Sequence, residues 1–443
     1  MTAVVKLRIE YGRWGSCWCL LALVLGFMGC DLLGQVDAVV SGHSKTLYVS
    51  ASSEAKDPDG SSWRKAFISV QKAVDVAADG DTILIDAGPH KASDKQDAVI
   101  YIENKKGLKL LGGRSAQGPR QEQETVSVPS VLDGEQSFGN ILHVVWIENS
   151  QDITFSEFTL RNGDAQEDAS EHDTENWGAG ILVHKSRNIE FRDVRITGNK
   201  AHWGGGLAVV DSSDVRLIDC EFTNNEASHR LAEQFPVGGV GGAIAIKNSR
   251  HVNLQNITLK NNVATIQAGG LYGEDCQVDV TDSTFEANGF QEETQNNLSG
   301  GALFLDRCKF TAKGSKWTNN QAQQAGALLA DNTQLTLEGG EFTGNTATGN
   351  AAAVLAQHGS VVVVRNVKFS GNNTQQNGGA LSIVSASRVM VEGATFEANQ
   401  ANGSCPIAML SQEQYWEDGG RNVYKDNVDS GSSDDVQGFV CKP

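Results

Sequence analysis

Three short apolar runs, Val354-Leu355-Ala356, Val361-Val362-Val363-Val364 and Val367-Lys368-Phe369, are closed by Asn372 and followed by Gly378-Gly379-Ala380-Leu381. Runs rich in Val, Leu and Phe and broken by Gly, Asn and Ser read as short strands. Working outward, the same unit recurs along the chain. A Gly/Ala triplet precedes an apolar anchor at Ile181, Leu207, Ile244, Leu271, Leu303, Leu328, Val354 and Leu381, with a degenerate last copy ending at Met409. A second anchor stands three residues before an Asn: Ile196, Phe222, Leu259, Phe285, Trp317, Phe342, Phe369, Phe396 and Tyr424 precede Asn199, Asn225, Asn262, Asn288, Asn320, Asn345, Asn372, Asn399 and Asn427.

The distances decide the architecture. First anchor leads second by 14 or 15 residues in every copy, whereas the return takes 11, 22, 12, 18, 11, 12, 12 and 13. One half of the repeat is rigid in length and all insertions fall in the other, as in a solenoid whose stacked elements fix their length. Three strands per repeat make the unit of a parallel β-helix, with equivalent positions stacked about 4.8 Å apart. The Asn column then predicts a ladder of stacked amides, and the Gly pairs a tight second corner. A leucine-rich repeat fits Phe191, Val194, Ile196 and Asn199, but Ser283, Ser315 and Gly340 break its apolar frame. The expected fold is all-β: a right-handed parallel β-helix of about ten to eleven coils, roughly 50 Å long.

Composition agrees. The chain has 443 residues, with 36 Lys+Arg against 54 Asp+Glu and a formal charge of −18. That balance argues against a nucleic-acid partner. There are 48 glycines and only 7 prolines, with no three-residue period, so collagen is excluded. Proline is scarce where nearly every segment donates backbone hydrogen bonds to the next coil.

The paired Gly-Gly-Ala-apolar and Phe-x-x-Asn signatures over 178–427 resemble the polymorphic outer-membrane-protein repeats of right-handed β-helix proteins. Upstream, Thr46–Ser50, Asp59-Gly60-Ser61-Ser62-Trp63, Ala66–Ala78 and Asp81–Asp86 resemble the opening segment of exported β-helix proteins, as do Val131–Gly134 and Phe158–Gly163. Phe67, Val70, Val74 and Ala77 share a helical face, which predicts a helix capping the open end of the stack. That family's autotransporter barrel has no counterpart in this chain, so self-export is not expected.

The expected organisation is an export signal over 1–30, a linker over 31–45, the first strand and cap helix over 46–90, the β-helix over 91–427 and a tail over 428–443. Lys6, Arg8 and Arg13 precede an apolar stretch from Cys17 to Met28, which suits a signal h-region and is short for a membrane span. Phe27-Met28-Gly29-Cys30 resembles a bacterial lipobox, which implies lipidation at Cys30 and a cell-envelope location, periplasmic or surface-facing. Cys276 and Cys308 each stand five residues after an anchor, so they share a site on adjacent coils, either as a disulfide or as stacked buried thiols. Cys405 and Cys441 flank the last coil, where a disulfide would pin the C-terminal end. Cys220 has no register partner and is expected as a free, inward thiol.

The long loops 163–177, 226–240 and 289–299 leave the same corner and are rich in charge, including Glu171, His172, Asp173, His229 and Arg230. Trp177 and Trp203 each stand four residues before an anchor, with His202 beside the second. Stacked aromatic faces suit pyranose rings, although the two indoles can equally serve to stabilise the corner. The loop carboxylates read first as a solvated face, and the histidines lack a tight metal-ligand spacing. No cofactor is expected; Ca²⁺ is the one ion adjacent carboxylates would suit. Asp57-Pro58-Asp59-Gly60 is too short for a Ca²⁺ loop and reads as a turn.

No Gly-x-Ser-x-Gly, His-Glu-x-x-His or phosphate-loop motif occurs. Trp146-Ile147-Glu148-Asn149 falls short of the Trp-Ile-Asp-His segment of pectate-lyase-like enzymes. The leading expectation is therefore a monomeric binding or adhesion protein for an extended polysaccharide or a surface partner, touching the membrane only through its N-terminal lipid. The alternatives are a polysaccharide lyase or glycoside hydrolase using loop carboxylates, and a structural surface protein without a ligand.

Overall fold

The computed structural model describes residues 44–92, 97–114, 128–135, 141–166, 176–228, 239–290, 299–385, 387–403, 405–410, 416–429 and 440–441. They form an all-β, right-handed parallel β-helix. Twelve strands stack on one face, from Ala98–Glu103, His143–Glu148, Ile181–His184 and Leu207–Val210 down to Val440–Cys441. Eleven steps at the usual strand spacing give a stack of about 53 Å. The other two faces are built from strands such as Ser213–Ile218 and Glu221–Thr223. Gln151–Arg161 and Arg187–Thr197 run through both of those faces and join them into one hydrogen-bonded sheet. Two-residue pieces after most corner Asn residues, such as Lys200–Ala201 and Gln321–Ala322, add two short further ladders of four and five strands.

The anchors are in register: Leu303 pairs with Leu328, Leu328 with Val354, and Val354 with Leu381. The last copy is a correction. Leu381 pairs with Ala408 and Ser382 with Met409, so Ala408 is the anchor and Met409 points outward. A slip of one residue exchanges the two faces of a strand, and the run Ile407-Ala408-Met409-Leu410 is apolar throughout, which hides the register. The second anchors stack as rings in the core: Trp317 lies 4.3 Å from Phe342 and within 6° of parallel, followed by Phe369, Phe396 and Tyr424 at 5.0 to 5.4 Å.

The Asn column is a continuous amide ladder. In each rung from Asn199 to Asn399 Nδ2 donates to Oδ1 of the next Asn and to a backbone carbonyl in the preceding coil; for Asn225 these are Asn262 at 3.0 Å and Ile196 at 2.9 Å. The same Oδ1 of Asn262 also accepts from the Asn225 backbone N–H at 3.0 Å, so both ends of every interior amide are satisfied. At the opposite corner the first triplet residue is left-handed, as at Gly204 with φ of 62°. The middle residue lies against the next coil: a Cβ on Gly242 would sit 2.3 Å from the Val263 carbonyl oxygen.

Another ladder was not anticipated. The Ser150, Ser186 and Ser212 backbone N–H groups donate to Ser186, Ser212 and Ser249 hydroxyls at 3.0 to 3.1 Å. The column resumes with Cys308 N–H to Thr333, Thr333 N–H to Ser360 and Ser360 N–H to Ser387. The rungs between Ser249 and Thr333 are Cys276 and Cys308, joined as a disulfide with Cα atoms 4.6 Å apart. Cys220 is a buried free thiol, pushed up to about 12 by burial. Cys405 is buried on a left-handed turn, and the Cys441 side chain lies outside the described residues.

The helix at the N-terminal end spans Val70–Val76, with Val70, Ala73 and Val74 buried and the Ser69 side chain capping it through the Lys72 N–H. It closes the stack by a specific device. Ala98–Glu103 is the edge strand of the twelve-stranded face, and the Gln71 amide bonds both backbone groups of its Tyr101. One side chain thus takes the place of a missing strand.

Two buried aspartates tie the first coils. Asp86 accepts from Ser50 at 2.6 Å and faces His90 Nε2 at 3.0 Å. Asp133 accepts from Arg161 Nε and Nη2 and from Asn162 at 2.8 to 3.0 Å. Burial pulls both carboxyls upward, but these donors outweigh it and hold each below the ordinary aspartate value. Groups so depressed add stability above the unfolded-state pKa of about 3.9 and lose it as pH falls through their folded values. Acid unfolding of the wild type is therefore expected to steepen below about pH 4. The Asp86→Asn/Asp133→Asn variant should show a shallower acid limb in a plot of thermal midpoint against pH.

Candidate functional site

The outer side of the twelve-stranded face carries an unusual row. Ile100, Ile102, Val145, Ile147, Ile181 and Val183 point into the core, so strand alternation turns Tyr101, Glu103, Trp146, Glu148, Leu182 and His184 outward. The position after each anchor then reads Tyr101, Trp146, Leu182, Ala208, Ala245, Tyr272 and Phe304 on successive coils. Six strand steps make this row about 29 Å long.

Trp177 and Trp203 fold back over this row. They are paired in register, with ring centroids 4.4 Å apart and planes within 3° of parallel. Trp177 and Trp146 pack on Leu182, Ala208 and Val210, while Trp203 packs on the patch holding Val240, Tyr272 and Phe304. Leu182 and Ala208 are fully buried although they face away from the core. The expectation of two indole planes at an open corner is refined: each ring gives one face to the other, and what remains half-exposed is an aromatic ridge over the outer sheet. Tyr101 extends the ridge with its ring 5.0 Å from Trp146. Tyr272 and Phe304 extend it the other way, stacked at 5.7 Å and nearly buried.

A mostly charged column runs beside the ridge, two residues further along the strands, broken once by Val210: Glu103, Glu148, His184, Val210, Lys247, Glu274, Asp306 and Asp331. The Tyr101 hydroxyl donates to Glu148 Oε2 at 3.2 Å, and Glu148 Oε1 lies 3.2 Å from His184 Nδ1. Burial and the charges of Glu148 and Glu103 push the Tyr101 hydroxyl above the ordinary phenol range. Lys247 pairs with Glu274 at 3.1 Å, and Arg307 contacts Glu274, Asp275 and Asp306. Burial and the charges of Asp331 and Glu274 raise the Asp306 carboxyl against the pull of Arg307. Lys247 Nζ also lies 5.0 Å from the Trp203 centroid and 5.7 Å from that of Trp177.

Of the residues singled out from the sequence, Trp177 and Trp203 are brought together, and His202 is half-buried beside them. Glu171, His172, Asp173, His229, Arg230 and Cys30 lie outside the described residues. Tyr101, Glu103 and His184 escaped sequence reasoning, and Trp146 and Glu148 entered it only as parts of a segment that falls short of a lyase motif. Their only signal is their place one and three residues after an inward anchor. Among the described residues no group of three or more His, Cys, Asp or Glu is arranged to hold a metal ion, and no helix is long and apolar enough to cross a membrane.

Residues 138–339 match the family described as right-handed β-helix region. No curated protein sequence matches the chain. Solved structures with a similar course include pectate lyase Pel9A, at 12% identity over 90% of this chain and 84% of that one, with a TM-score of 0.46. A rhamnogalacturonan lyase is similar at 14% identity over 79% of this chain and 87% of that one, with a TM-score of 0.42. PfbA, a surface adhesin of Streptococcus pneumoniae, is similar at 12% identity over 80% and 92%, with a TM-score of 0.33. Each is a likeness in architecture.

Proposed function

We propose that this chain is an exported cell-envelope protein, lipid-anchored through Cys30, that binds an extended glycan without cleaving it. The observation that carries the reading is the half-exposed aromatic ridge of Tyr101, Trp146, Trp177 and Trp203 on the outside of one sheet, flanked by hydrogen-bonding carboxylates. Sugar rings dock their C–H faces on aromatic side chains and their hydroxyls on carboxylates. The four half-exposed rings stand on consecutive coils and span three strand steps, about 14 Å, which suits a run of sugars better than a single one. The reading rests on the sheet, whose rigid register sets the spacing of the rings. The mature protein should bind at least one member of a panel of neutral and charged polysaccharides and release no new reducing ends or unsaturated products. Binding of none overturns the reading.

A second reading, cleavage of the same glycan, is favoured by one observation. Tyr101, Glu148 and His184 form a chain of titratable groups beside Trp146. New chain ends in that panel, abolished by Glu148→Gln, would establish it.

A further inference from the structure

Resting on the glycan-binding reading, we propose that the ligand is cationic: an extended glycan bearing protonated amino groups, held where Tyr101 and Trp146 meet Glu103 and Glu148. The four residues form one small block. Tyr101 and Trp146 are neighbours across two paired strands, as are Glu103 and Glu148, and the two rings lie 5.0 Å apart. In-register carboxylates on adjacent strands stand about 4.8 Å apart at the backbone, and like charges so placed destabilise the sheet unless a cation relieves them. Among the described residues no Lys or Arg forms an ion pair with either carboxylate; Glu148 has only Tyr101 and His184, and Glu103 is exposed.

Aromatic rings and carboxylates side by side are the chemistry that recognises an ammonium group. The protein already contains the arrangement once, satisfied from within. Lys247 Nζ lies 5.0 and 5.7 Å from two indoles and 3.1 Å from Glu274. Three coils earlier on the same face the rings and carboxylates recur and the lysine does not: Leu182 and His184 follow Trp146 and Glu148 on the next strand. An amino sugar lying along the ridge would place its ammonium where this chain supplies none.

The same column works against polyuronates. A polyanion on this face would meet Glu103, Glu148, Glu274, Asp306 and Asp331, while Lys247 and Arg307 are already engaged by carboxylates.

Three hexamers test this by calorimetry: glucosamine, N-acetylglucosamine and galacturonate. The glucosamine hexamer is expected to bind about tenfold more tightly than its acetylated counterpart and to weaken as salt is raised, and the galacturonate hexamer should not bind. An acidic protein attracts any polycation, so two double variants with the same charge change are compared. Glu103→Gln/Glu148→Gln should lower glucosamine affinity at least about fivefold, and Glu341→Gln/Glu397→Gln, on another face, should leave it within about twofold. Equal losses in both variants, or galacturonate binding as tightly as glucosamine, overturn the proposal. Equal binding of the acetylated and free hexamers overturns it too but leaves glycan binding standing. If no hexamer binds and the polysaccharide panel is also silent, the glycan reading itself has failed.

Discussion

Asn320→Ala is expected to destabilise the protein by about 4 kcal/mol, read as a fall in the urea unfolding midpoint. Oδ1 of Asn320 accepts both the Asn288 backbone N–H at 3.0 Å and its Nδ2 at 3.2 Å, while Asn320 Nδ2 donates to the Phe285 carbonyl at 2.9 Å and to Asn345 Oδ1 at 3.0 Å. Truncation strands two buried donors and a carbonyl, and each orphaned group costs about 1–3 kcal/mol. Asn320→Asp should fare no better, because a carboxylate keeps the acceptors but cannot donate to Asn345. Asn373→Ala, at an exposed position just past the Asn372 rung, should stay within about 0.5 kcal/mol of wild type. An Asn320→Ala midpoint matching that of Asn373→Ala would mean the ladder is decorative.

Reduction of Cys276–Cys308 is the second large effect. The bond closes a chain segment with a sequence separation of 32, for which loop entropy predicts a loss of about 3.7 kcal/mol. The hydroxyl column makes a finer prediction. Cys276→Ser/Cys308→Ser should restore continuity between Ser249 and Thr333, whereas Cys276→Ala/Cys308→Ala interrupts it. The serine pair should therefore be more stable than the alanine pair by about 1 kcal/mol or more, with both below the oxidised wild type. Equal midpoints for the two pairs would show that the column carries no energy. A wild-type midpoint unmoved by reductant would show the same for the disulfide.

The β-helix was legible because stacking repeats chemistry. An amide satisfied only by another amide one coil away must recur, and so must a left-handed corner and an inward ring. Those demands wrote the Asn, Gly and Phe columns into the chain at fixed intervals. The outer face answers to no such rule. Its row reads Tyr101, Trp146, Leu182, Ala208, Ala245, Tyr272, Phe304, with no identity repeated on every coil. It becomes visible only once the register of the inward anchors is known. Trp146 and Glu148 illustrate this: as a tetrapeptide they were a failed motif, and as two outward positions on a strand they stand beside Tyr101 and His184. Trp177 and Trp203 were legible as a pair through their equal distance to an anchor. Their fold-back over Leu182 and Ala208 was not, since it depends on small or flat side chains beneath them. The serine column hid for a different reason: Ser at a turn is the ordinary choice, so its repetition attracts no notice.

The proposed role of the aromatic ridge, as a row of half-exposed rings, is to hold an extended sugar chain. Its most direct test is calorimetric titration of wild type and Trp146→Ala with oligosaccharides of increasing length, taken from whichever polysaccharide binds. Affinity should rise with each added sugar and level off once the ligand spans about 14 Å, and Trp146→Ala should weaken the longer ligands by about fivefold or more when titrated below its own unfolding transition, which is lowered by the loss of packing on Leu182, Ala208 and Val210. Affinity independent of length, or unchanged in Trp146→Ala, would contradict the account.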